Sequence, residues 1–376
     1  MTLTDRPLSG LLAVSIEQAV AAPICSMRLA DAGARVLKIE PLGGETARHY
    51  DSAVLGHSAY FASLNRGKES VCLNLHAKND FGLLNRILKK ADIFIRNTKP
   101  GAMARLDLDA QTLLLQYPSL ITVDIVGYGQ DTPYKDMKAY DLLVQAESGL
   151  CAVTGSNGEP AKVGVSIADM GTGLNAYAAV LEALHQRTKT AQGAAIEISM
   201  FDSVAEWMSV PLLHFEHAGT VAGLHGMAHA SIYPYRPYKC RDGEVVIAVQ
   251  NADQWTKFCA IVILQPELEK DPRFHDNASR VANRIALDTF ISAAVCGLDR
   301  FEFIRRIEKA GIAYGQLNTL KNLSSHSALR RKTILSGNDS LQVVASPMPS
   351  ANNTDCALPS IGEHTFSVSE EFSEKL

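Results

Sequence analysis

The chain has 376 residues, of which 47% are apolar and 20% charged, and its formal net charge is −4. This balance is typical of a globular protein with enough apolar material for more than one domain. The sequence contains no basic block, no zinc-ligand run and no apolar run long enough to span a membrane. Nucleic-acid-binding proteins and membrane-embedded proteins are therefore poor interpretations.

The cysteines and the chain ends bear on the cellular compartment. The seven cysteines are scattered without a Cys-x-x-Cys pair, which indicates buried thiols in a reducing compartment. The first ten residues lack the apolar core of a secretory signal, and the final "EKL" falls short of the peroxisomal tripeptide. We therefore expect a cytoplasmic protein.

The first half of the chain alternates predicted strands with predicted helices. Pro23 lies early in the first helix and Gly33 lies at its end, as is usual for helix starts and stops. Strands are predicted over residues 11–16, 35–40, 70–75, 92–97, 120–129 and 194–200. Such alternation predicts a mostly parallel sheet with helices on both faces.

The pattern changes after residue 200. A long helix is predicted over 201–219, an irregular aromatic loop over 221–238, a strand over 243–250, and then two helices. Glycine and polar residues near 311–326 suggest a return to the first domain, and the tail is predicted to be mostly extended. We predict an α/β fold with a doubly wound, Rossmann-like large domain from residues 1–205 and 318–376, a linker helix over 206–224, and a smaller α+β domain over 225–317.

A doubly wound sheet invites a dinucleotide-binding interpretation, and Glu40 at the end of the second strand resembles a ribose-binding acid. However, the segment "EQAVAAP" between the first strand and the first helix lacks the glycines of a pyrophosphate loop. The sequence also lacks a Gly-x-Ser-x-Gly elbow, a P-loop and metal-ligand spacing among its histidines. These absences give little support to a dehydrogenase, an α/β-hydrolase, an NTPase or a metalloenzyme.

The segment "SIADMGTG" (residues 166–173) places one carboxylate, Asp169, at the start of a predicted apolar helix. The simplest interpretation is an N-cap, because aspartate often accepts a hydrogen bond from a first-turn N–H. The helix terminus is also expected to hold Asp169 ionised and to stabilise developing oxyanions. Gly171 and Gly173 are expected to leave room for a bulky partner. A carboxylate in this setting can act as a nucleophile on an activated carbonyl.

Seven segments carry a family resemblance: "LADAGARVLKIEPLGG", "SAYFASLNRGKESVCLNL", "ADIFIRNTKPGAMARLDL", "GYGQDTPYKDMKAYDLLVQAESGL", "TGSNGEPAKVGVSIADMGTGLNAY", "TAQGAAIEISMFDS" and "LPSIGEHT". In these segments, which run from about residue 8 to 365, the chain resembles the class III CoA-transferases. The resemblance implies that Asp169 is a nucleophile that forms an aspartyl–acyl anhydride and then an aspartyl-CoA thioester. It further implies an interlocked homodimer and no cofactor beyond CoA as a substrate.

The resemblance also assigns roles to individual side chains. The implied CoA contacts are Leu73, His76, Asn97, Ala102, Arg105, Lys138 and Met200. Lining of the acyl site is implied for Tyr60, Tyr140, Asp141 and Val20. His76 replaces a lysine of another member, and Val20 stands where formyl-CoA:oxalate CoA-transferase has an active-site glutamine. Since that enzyme's run of glycines is also missing, formyl and oxalate are not expected as substrates.

Two alternatives remain. The same fold is found in α-methylacyl-CoA racemases, which pair the equivalent aspartate with the histidine of a consecutive His-Asp dipeptide. Here that pair is Tyr140-Asp141, and tyrosine, with a pKa of about 10, is a poor base at neutral pH. A non-catalytic CoA-binding regulator is the other alternative.

The loop "GMAHASIYPYRPY" resembles the subgroup that uses succinyl-CoA with C4–C6 dicarboxylates such as mesaconate, itaconate, citramalate or hydroxymethylglutarate. The far carboxylate of a diacid needs a cationic or hydrogen-bonding anchor. His229 is the first candidate, followed by Arg48 and Arg236.

Overall fold

The computed structural model describes residues 6–99, 101–156, 158–219, 223–348 and 356–374, which form two compact units. The first unit contains the described residues of Met1–Leu150, Lys162–Val210 and Arg330–Leu376. The second contains those of Cys151–Ala161 and Pro211–Leu329. The smaller domain was predicted over residues 225–317. The second unit is larger, because it also includes the separate segment Cys151–Ala161 and described residues on either side of 225–317, between Pro211 and Leu329.

The strands are β1 Leu12–Ile16, β2 Arg35–Glu40, β3 Glu69–Cys72, β4 Ile93–Arg96, β5 Ile121–Val126, β6 Gly155–Ser156, β7 Glu159–Pro160, β8 Ala194–Ser199, β9 Tyr235–Cys240, β10 Gly243–Ala248, β11 Ala313–Gln316, β12 Arg331–Ser336 and β13 Asp339–Val344. The helices are α1 Ala21–Asp31, α2 Ala59–Leu64, α3 Lys78–Leu88, α4 Ala110–Gln116, α5 Asp141–Glu147, α6 Leu150–Val153, α7 Ile167–Thr190, α8 Met200–Trp207, α9 Ser209–Ala218, α10 Ala252–Lys257, α11 Asn277–Ala282, α12 Arg284–Val295, α13 Arg300–Lys309, α14 Leu320–Ser324 and α15 Thr365–Glu371.

The centre of the first unit is a six-stranded parallel sheet in the order β3-β2-β1-β4-β5-β8. Neighbouring residues of β1 face opposite sides of this sheet, as the pleat requires. Ala13 lies in the core beneath α1 and α7, whereas Val14 lies in the core beneath α3. The predicted α/β fold with a parallel sheet is confirmed, and each predicted strand agrees with an observed one to within three residues at either end.

Strand β1 pairs with both β2 and β4, so the strand order reverses between β1 and β4. In doubly wound sheets, ligands bind in the crevice outside the carboxyl ends of the strands at such a point. Helix α7 connects the parallel strands β5 and β8 and therefore runs back along the sheet. Its N-terminus consequently lies at the carboxyl edge of the strands.

The second unit has an α+β character. Its three-stranded antiparallel sheet, β11-β10-β9, shares a core with the helices α10, α12 and α13. Strand β9 occupies part of the segment that was predicted to be an irregular loop, because its residues pair along their whole length with β10. Strand β11 also belongs to this sheet, and the chain returns to the first unit at Arg330, a few residues after the predicted range of 311–326.

Two further predictions differ from the structure. The single helix predicted over 201–219 is broken at Met208 into α8 and α9. The tail, predicted to be mostly extended, contains the short helix α15. Within the described ranges, none of the helices combines the length and the apolar character needed to cross a bilayer.

Candidate active site

Asp169 is the third residue of α7, whose N-cap is Ser166. Asp141, the first residue of α5, supplies the carboxylate at this terminus. Its Oδ1 accepts hydrogen bonds from the backbone N–H groups of Ala168 (2.8 Å) and Asp169 (3.4 Å). The N-cap interpretation of Asp169 is therefore wrong, because a carboxylate from another helix already accepts these N–H groups.

The surroundings of Asp169 raise its pKa from 3.8 to about 7. Burial is the larger cause, since it disfavours the charged form, and the nearby negative charge of Asp141 adds to it. The expectation that the helix terminus simply holds Asp169 ionised is thus not met. Burial and a second carboxylate outweigh the helix dipole here, so Asp169 titrates near neutral pH.

The two glycines behind Asp169 serve close packing. A Cβ on Gly171 would overlap the indole of Trp207, and a Cβ on Gly173 would overlap the carbonyl oxygen of Ala21. The expectation that they leave room for a bulky partner is therefore wrong, because Trp207 and α1 fill that space. Asp169 and Gly173 are four residues apart and share a helix face, so Asp169 lies on the side of α7 that approaches α1.

Two residues of the implied substrate site lie directly beside this terminus. Met200 is buried in a small apolar cluster with Ala168, Val144 and Val204. Tyr140 is the N-cap of α5 and is 71% exposed. The structure thus brings Met200, Tyr140 and Asp141 to the start of α7.

Six of the seven residues with implied CoA contacts follow the carboxyl ends of three strands of the central sheet. Leu73 and His76 follow β3, Asn97, Ala102 and Arg105 follow β4, and Lys138 lies between β5 and α5. Leu73 is buried and Ala102 half-buried, whereas His76, Arg105 and Lys138 are exposed. Since parallel strands end at one edge of a sheet, these residues lie along the same edge as the start of α7.

Asn97 bridges the point where the strand order reverses. Its Oδ1 accepts a hydrogen bond from the backbone N–H of Gln18 (2.9 Å), and its Nδ2 donates to the carbonyl of Gln18 (2.8 Å). Asn97 therefore fixes the turn between β1 and α1 through these two hydrogen bonds. Val20, the N-cap of α1, is buried in that turn.

Tyr60 lies on α2, and its ring contacts Tyr50 edge-on with a centroid distance of 5.7 Å. It is 44% exposed. The contact with Tyr50 does not test the assignment of Tyr60 to the acyl site, which stays a prediction.

Arg48 does not have the geometry of a substrate anchor. Its side chain is 6% exposed, and its guanidinium forms a bidentate ion pair with Glu40 at 2.7 and 2.9 Å. It also donates to the carbonyl of Pro359 (3.1 Å) and stacks on the ring of Phe61. These contacts engage the guanidinium within the fold, which contradicts its proposed role as an anchor for a second carboxylate.

The other two anchor candidates lie in the second unit. His229 is exposed, stacks on Tyr235, and accepts a hydrogen bond from the N–H of Ser231 at Nδ1 (3.0 Å). The neutral ring therefore carries its proton on Nε2. Arg236 forms an ion pair with Asp288 (2.5 Å), which makes it a poorer candidate than His229.

Sequence reasoning missed a buried ion network below the turn between β1 and α1. The fully buried carboxylate of Glu17 contacts Lys68 (2.7 Å) and Lys38 (3.2 Å), and Lys38 also contacts Glu45 (3.3 Å). Burial lowers the pKa of Lys68 to about 8. For Glu17, burial alone would raise the pKa, but the charges of Lys38 and Lys68 lower it to about 2. The other oxygen of Glu45 accepts the backbone N–H of Ala19 (3.1 Å), so this network holds the turn that carries Val20.

The described residues contain no group of three or more His, Cys, Asp or Glu side chains arranged to hold a metal ion. The chemical groups that the site itself supplies are the half-buried carboxylate of Asp169 and the neighbouring carboxylate of Asp141.

Residues 8–365 match the family model described as CoA-transferase family III. This chain belongs to CoA-transferase family III. It is 34% identical over 336 residues to the acetyl-CoA:oxalate CoA-transferase of Acetobacter aceti, covering 88% of this chain and 86% of the relative. It is 32% identical to the human (Homo sapiens) succinyl-CoA:glutarate CoA-transferase, covering 85% and 73% of the two chains.

A solved structure supports the same family. The CAIB/BAIF family protein from Brucella suis has a TM-score of 0.83 and 29% identity to this CoA-transferase, and the match covers 98% and 99% of the two chains. The family predicted from the sequence motifs is therefore confirmed, as is the enzyme class.

Proposed function

We propose that this CoA-transferase moves CoA from succinyl-CoA to a small dicarboxylate, through covalent intermediates on Asp169. The single observation that carries the proposal is the half-buried Asp169 at the start of α7, whose pKa of about 7 makes the carboxylate more nucleophilic than an ordinary aspartate and leaves about half of it ionised at neutral pH. Burial also protects an activated acyl group from water. The succinyl donor and a C4–C6 acceptor are supported by the human relative, which is named for succinyl-CoA and glutarate.

The proposed reaction exchanges one activated acyl group for another. The Asp169 carboxylate attacks the thioester carbonyl of the donor, which forms a mixed anhydride and releases the CoA thiolate. The thiolate attacks the aspartyl carbonyl, which gives aspartyl-CoA thioester and free succinate. The acceptor carboxylate then attacks this thioester, and the released thiolate takes the acceptor acyl group from the new anhydride. Asp169 is regenerated, and these steps need no cofactor beyond CoA.

We assign CoA binding to the carboxyl edge of the sheet. Arg105 and Lys138 are exposed cations suited to the CoA phosphates, and the exposed His76 is a third candidate. Leu73, Asn97, Ala102 and Met200 are proposed to contact the adenine and pantetheine portions. Tyr60, Tyr140, Asp141 and Val20 are proposed to line the acyl site, with His229 as the anchor of the second carboxylate.

We also propose that the active form is a homodimer. Helix α9 exposes four large apolar side chains, of Val210, Leu212, Leu213 and Phe215, each at least 46% accessible. Apolar side chains exposed on several sides of one helix indicate a helix that is covered by another surface in the assembled protein. A second copy of the chain is the partner that the family resemblance implies.

The test is CoA transfer from succinyl-CoA to a panel of carboxylates, read by mass spectrometry of the acyl-CoA products. The panel contains glutarate, mesaconate, itaconate, citramalate and hydroxymethylglutarate. It also contains oxalate, since the Acetobacter relative is named for it. We expect transfer to at least one diacid.

Asp169→Ala should abolish this transfer and spare CoA binding, whereas Asp253→Ala, which removes an exposed acid from the first turn of α10, should leave both unchanged. Turnover by Asp169→Ala near the unmutated rate would refute the role of Asp169. Exchange of an acyl-CoA α-proton with solvent without transfer would favour the racemase alternative. Tight CoA binding without any turnover would favour the regulator.

A further inference from the structure

Gln145 is a fully buried polar side chain one helical turn after Asp141 on α5. Its Nε2 donates a hydrogen bond to Oδ2 of Asp141 (2.7 Å), and its Oε1 accepts one from the backbone N–H of Val163 (2.9 Å). Both ends of the amide are therefore engaged, as a buried polar group requires.

The chemistry of these contacts fixes the orientation of the amide. A backbone N–H can only donate, so the amide atom that faces Val163 must be the oxygen. The amino group then faces Asp141. Donation to Oδ2 holds the Asp141 carboxylate with Oδ1 directed at the N–H groups of Ala168 and Asp169.

Gln145 thus connects two parts of the site. It holds the carboxylate at the start of α7, and through Val163 it also holds the chain segment that leads into α7. The amino group of Gln145 places partial positive charge beside the Asp141 carboxylate and offsets part of its negative charge.

We propose that Gln145 is a positioning residue that, through Asp141, sets both the placement and the ionisation of Asp169. The proposal rests on the proposed role of Asp169 as the nucleophile. Helix α7 packs against α1, α5, α8, β5 and β8. Of the charged side chains on these elements within the described chain, Asp141 is the one whose charge acts on the pKa of Asp169.

The decisive variant is Gln145→Glu, which keeps the size of the side chain and an acceptor for Val163. It replaces the donor to Asp141 by a third carboxyl group, whose ionisation is coupled to those of Asp141 and Asp169. We expect the midpoint of the pH–kcat profile to move to higher pH by about one unit, since like charges disfavour ionisation. At about pH 7, kcat should fall about fivefold and recover at alkaline pH, while KM for succinyl-CoA stays within about twofold.

Gln145→Leu removes both hydrogen bonds without adding charge, and it should lower kcat at every pH. The matched control is Gln186→Leu on the exposed surface of α7, which should leave the profile unchanged. A Gln145→Glu enzyme that melts like the unmutated protein and keeps its pH midpoint would overturn the proposal. A uniform loss of kcat in that variant, without a shift of the midpoint, would reduce Gln145 to a structural residue and overturn it too.

A second measurement does not need turnover. The Asp169 carboxyl carbon can be titrated by NMR in protein with ¹³C-labelled aspartate, with Asp169→Asn identifying its signal. Gln145→Glu should move this titration to higher pH, and an unmoved titration would overturn the proposal. If the unmutated protein transferred CoA to no carboxylate, the proposed function would fail while this titration still decided the role of Gln145.

Discussion

At Asp169, two electrostatic effects oppose each other. The N-terminus of α7 favours the charged carboxylate, whereas burial and the neighbouring Asp141 favour the neutral acid. Burial and Asp141 together outweigh the helix terminus and raise the pKa of Asp169 to about 7. A carboxylate with this pKa is a stronger nucleophile than an ordinary aspartate and is still about half ionised at neutral pH.

The first residue-scale prediction concerns pH. Because the proposed first step requires ionised Asp169, kcat/KM for succinyl-CoA should rise with pH and level off above a midpoint near 7. Steady-state kinetics between about pH 5 and pH 9 measures this profile. A rate that is already maximal at about pH 5 would show that Asp169 is ionised as an ordinary aspartate.

The second residue-scale prediction concerns stability. The pKa of Asp169 is higher in the folded chain than in the unfolded chain, so folding becomes less favourable as pH rises from about 4 to about 7. Asp169→Asn should therefore raise the free energy of unfolding above about pH 7, by up to a few kcal/mol. The gain should shrink as pH falls towards 4.

Denaturant unfolding at about pH 8 and pH 4.5 measures this difference. The matched control is Asp202→Asn, which changes an exposed aspartate at the same third position of helix α8. Equal effects of Asp169→Asn at both pH values would contradict the raised pKa.

At the scale of elements, helix α7 is held close to α1 and α8 by its glycines. Gly173 faces the carbonyl oxygen of Ala21. A Cβ atom added to Gly173 would lie only 2.9 Å from Cβ of Ile24. The close approach brings the start of α1, with its buried N-cap Val20, towards the face of α7 that carries Asp169. The packing of these helices therefore determines the shape of the site.

Gly173→Ala should destabilise the protein by about 1–3 kcal/mol, because the new methyl group overlaps backbone that cannot move aside easily. Gly82→Ala on α3 is the matched control, since its Cβ would meet only the end of the flexible Arg86 side chain at 3.4 Å. That change should stabilise by about 0.5–1 kcal/mol, as expected for glycine in a helix interior. Thermal melts of both variants test this pair, and similar melting temperatures would contradict the packing described for α7.

The elements were easier to predict than the contacts between them. The strands of the parallel sheet are short apolar runs, so their pattern is local and readable. The contacts that define the site are long-range: Asp141 reaches Ala168 across 27 residues, and Gln145 reaches Val163 across 18. Only the spacing of Asp141 and Gln145, one helical turn apart, was a local signal that could have pointed to the pair.

Similar limits explain the other errors. Arg48 is a basic residue near the implied site in the sequence, but the fold turns its guanidinium onto Glu40 and Phe61. Strand β9 follows a proline-broken aromatic segment, and its extended form depends on pairing with β10. Tertiary contacts decided these cases, so residue type and local pattern were not sufficient.

At the scale of the whole molecule, the exposed apolar surface of α9 predicts self-association. Light scattering during gel filtration should give a mass of twice 40.7 kDa at micromolar concentration. Leu213→Asp should shift the protein towards monomer or aggregate, while Leu115→Asp, at an isolated exposed leucine on α4, should remain a dimer. An unmutated protein with the mass of a single chain would contradict the proposed homodimer.

The covalent role of Asp169 is the central claim, and it can be tested by trapping the intermediate. The protein is mixed with succinyl-CoA in the absence of acceptor, treated with hydroxylamine, and digested with trypsin. The peptide over residues 163–187 should carry a hydroxamate at Asp169, and Asp169→Asn should yield none. A hydroxamate on another residue, or an unmodified peptide from an enzyme that turns over, would contradict the account.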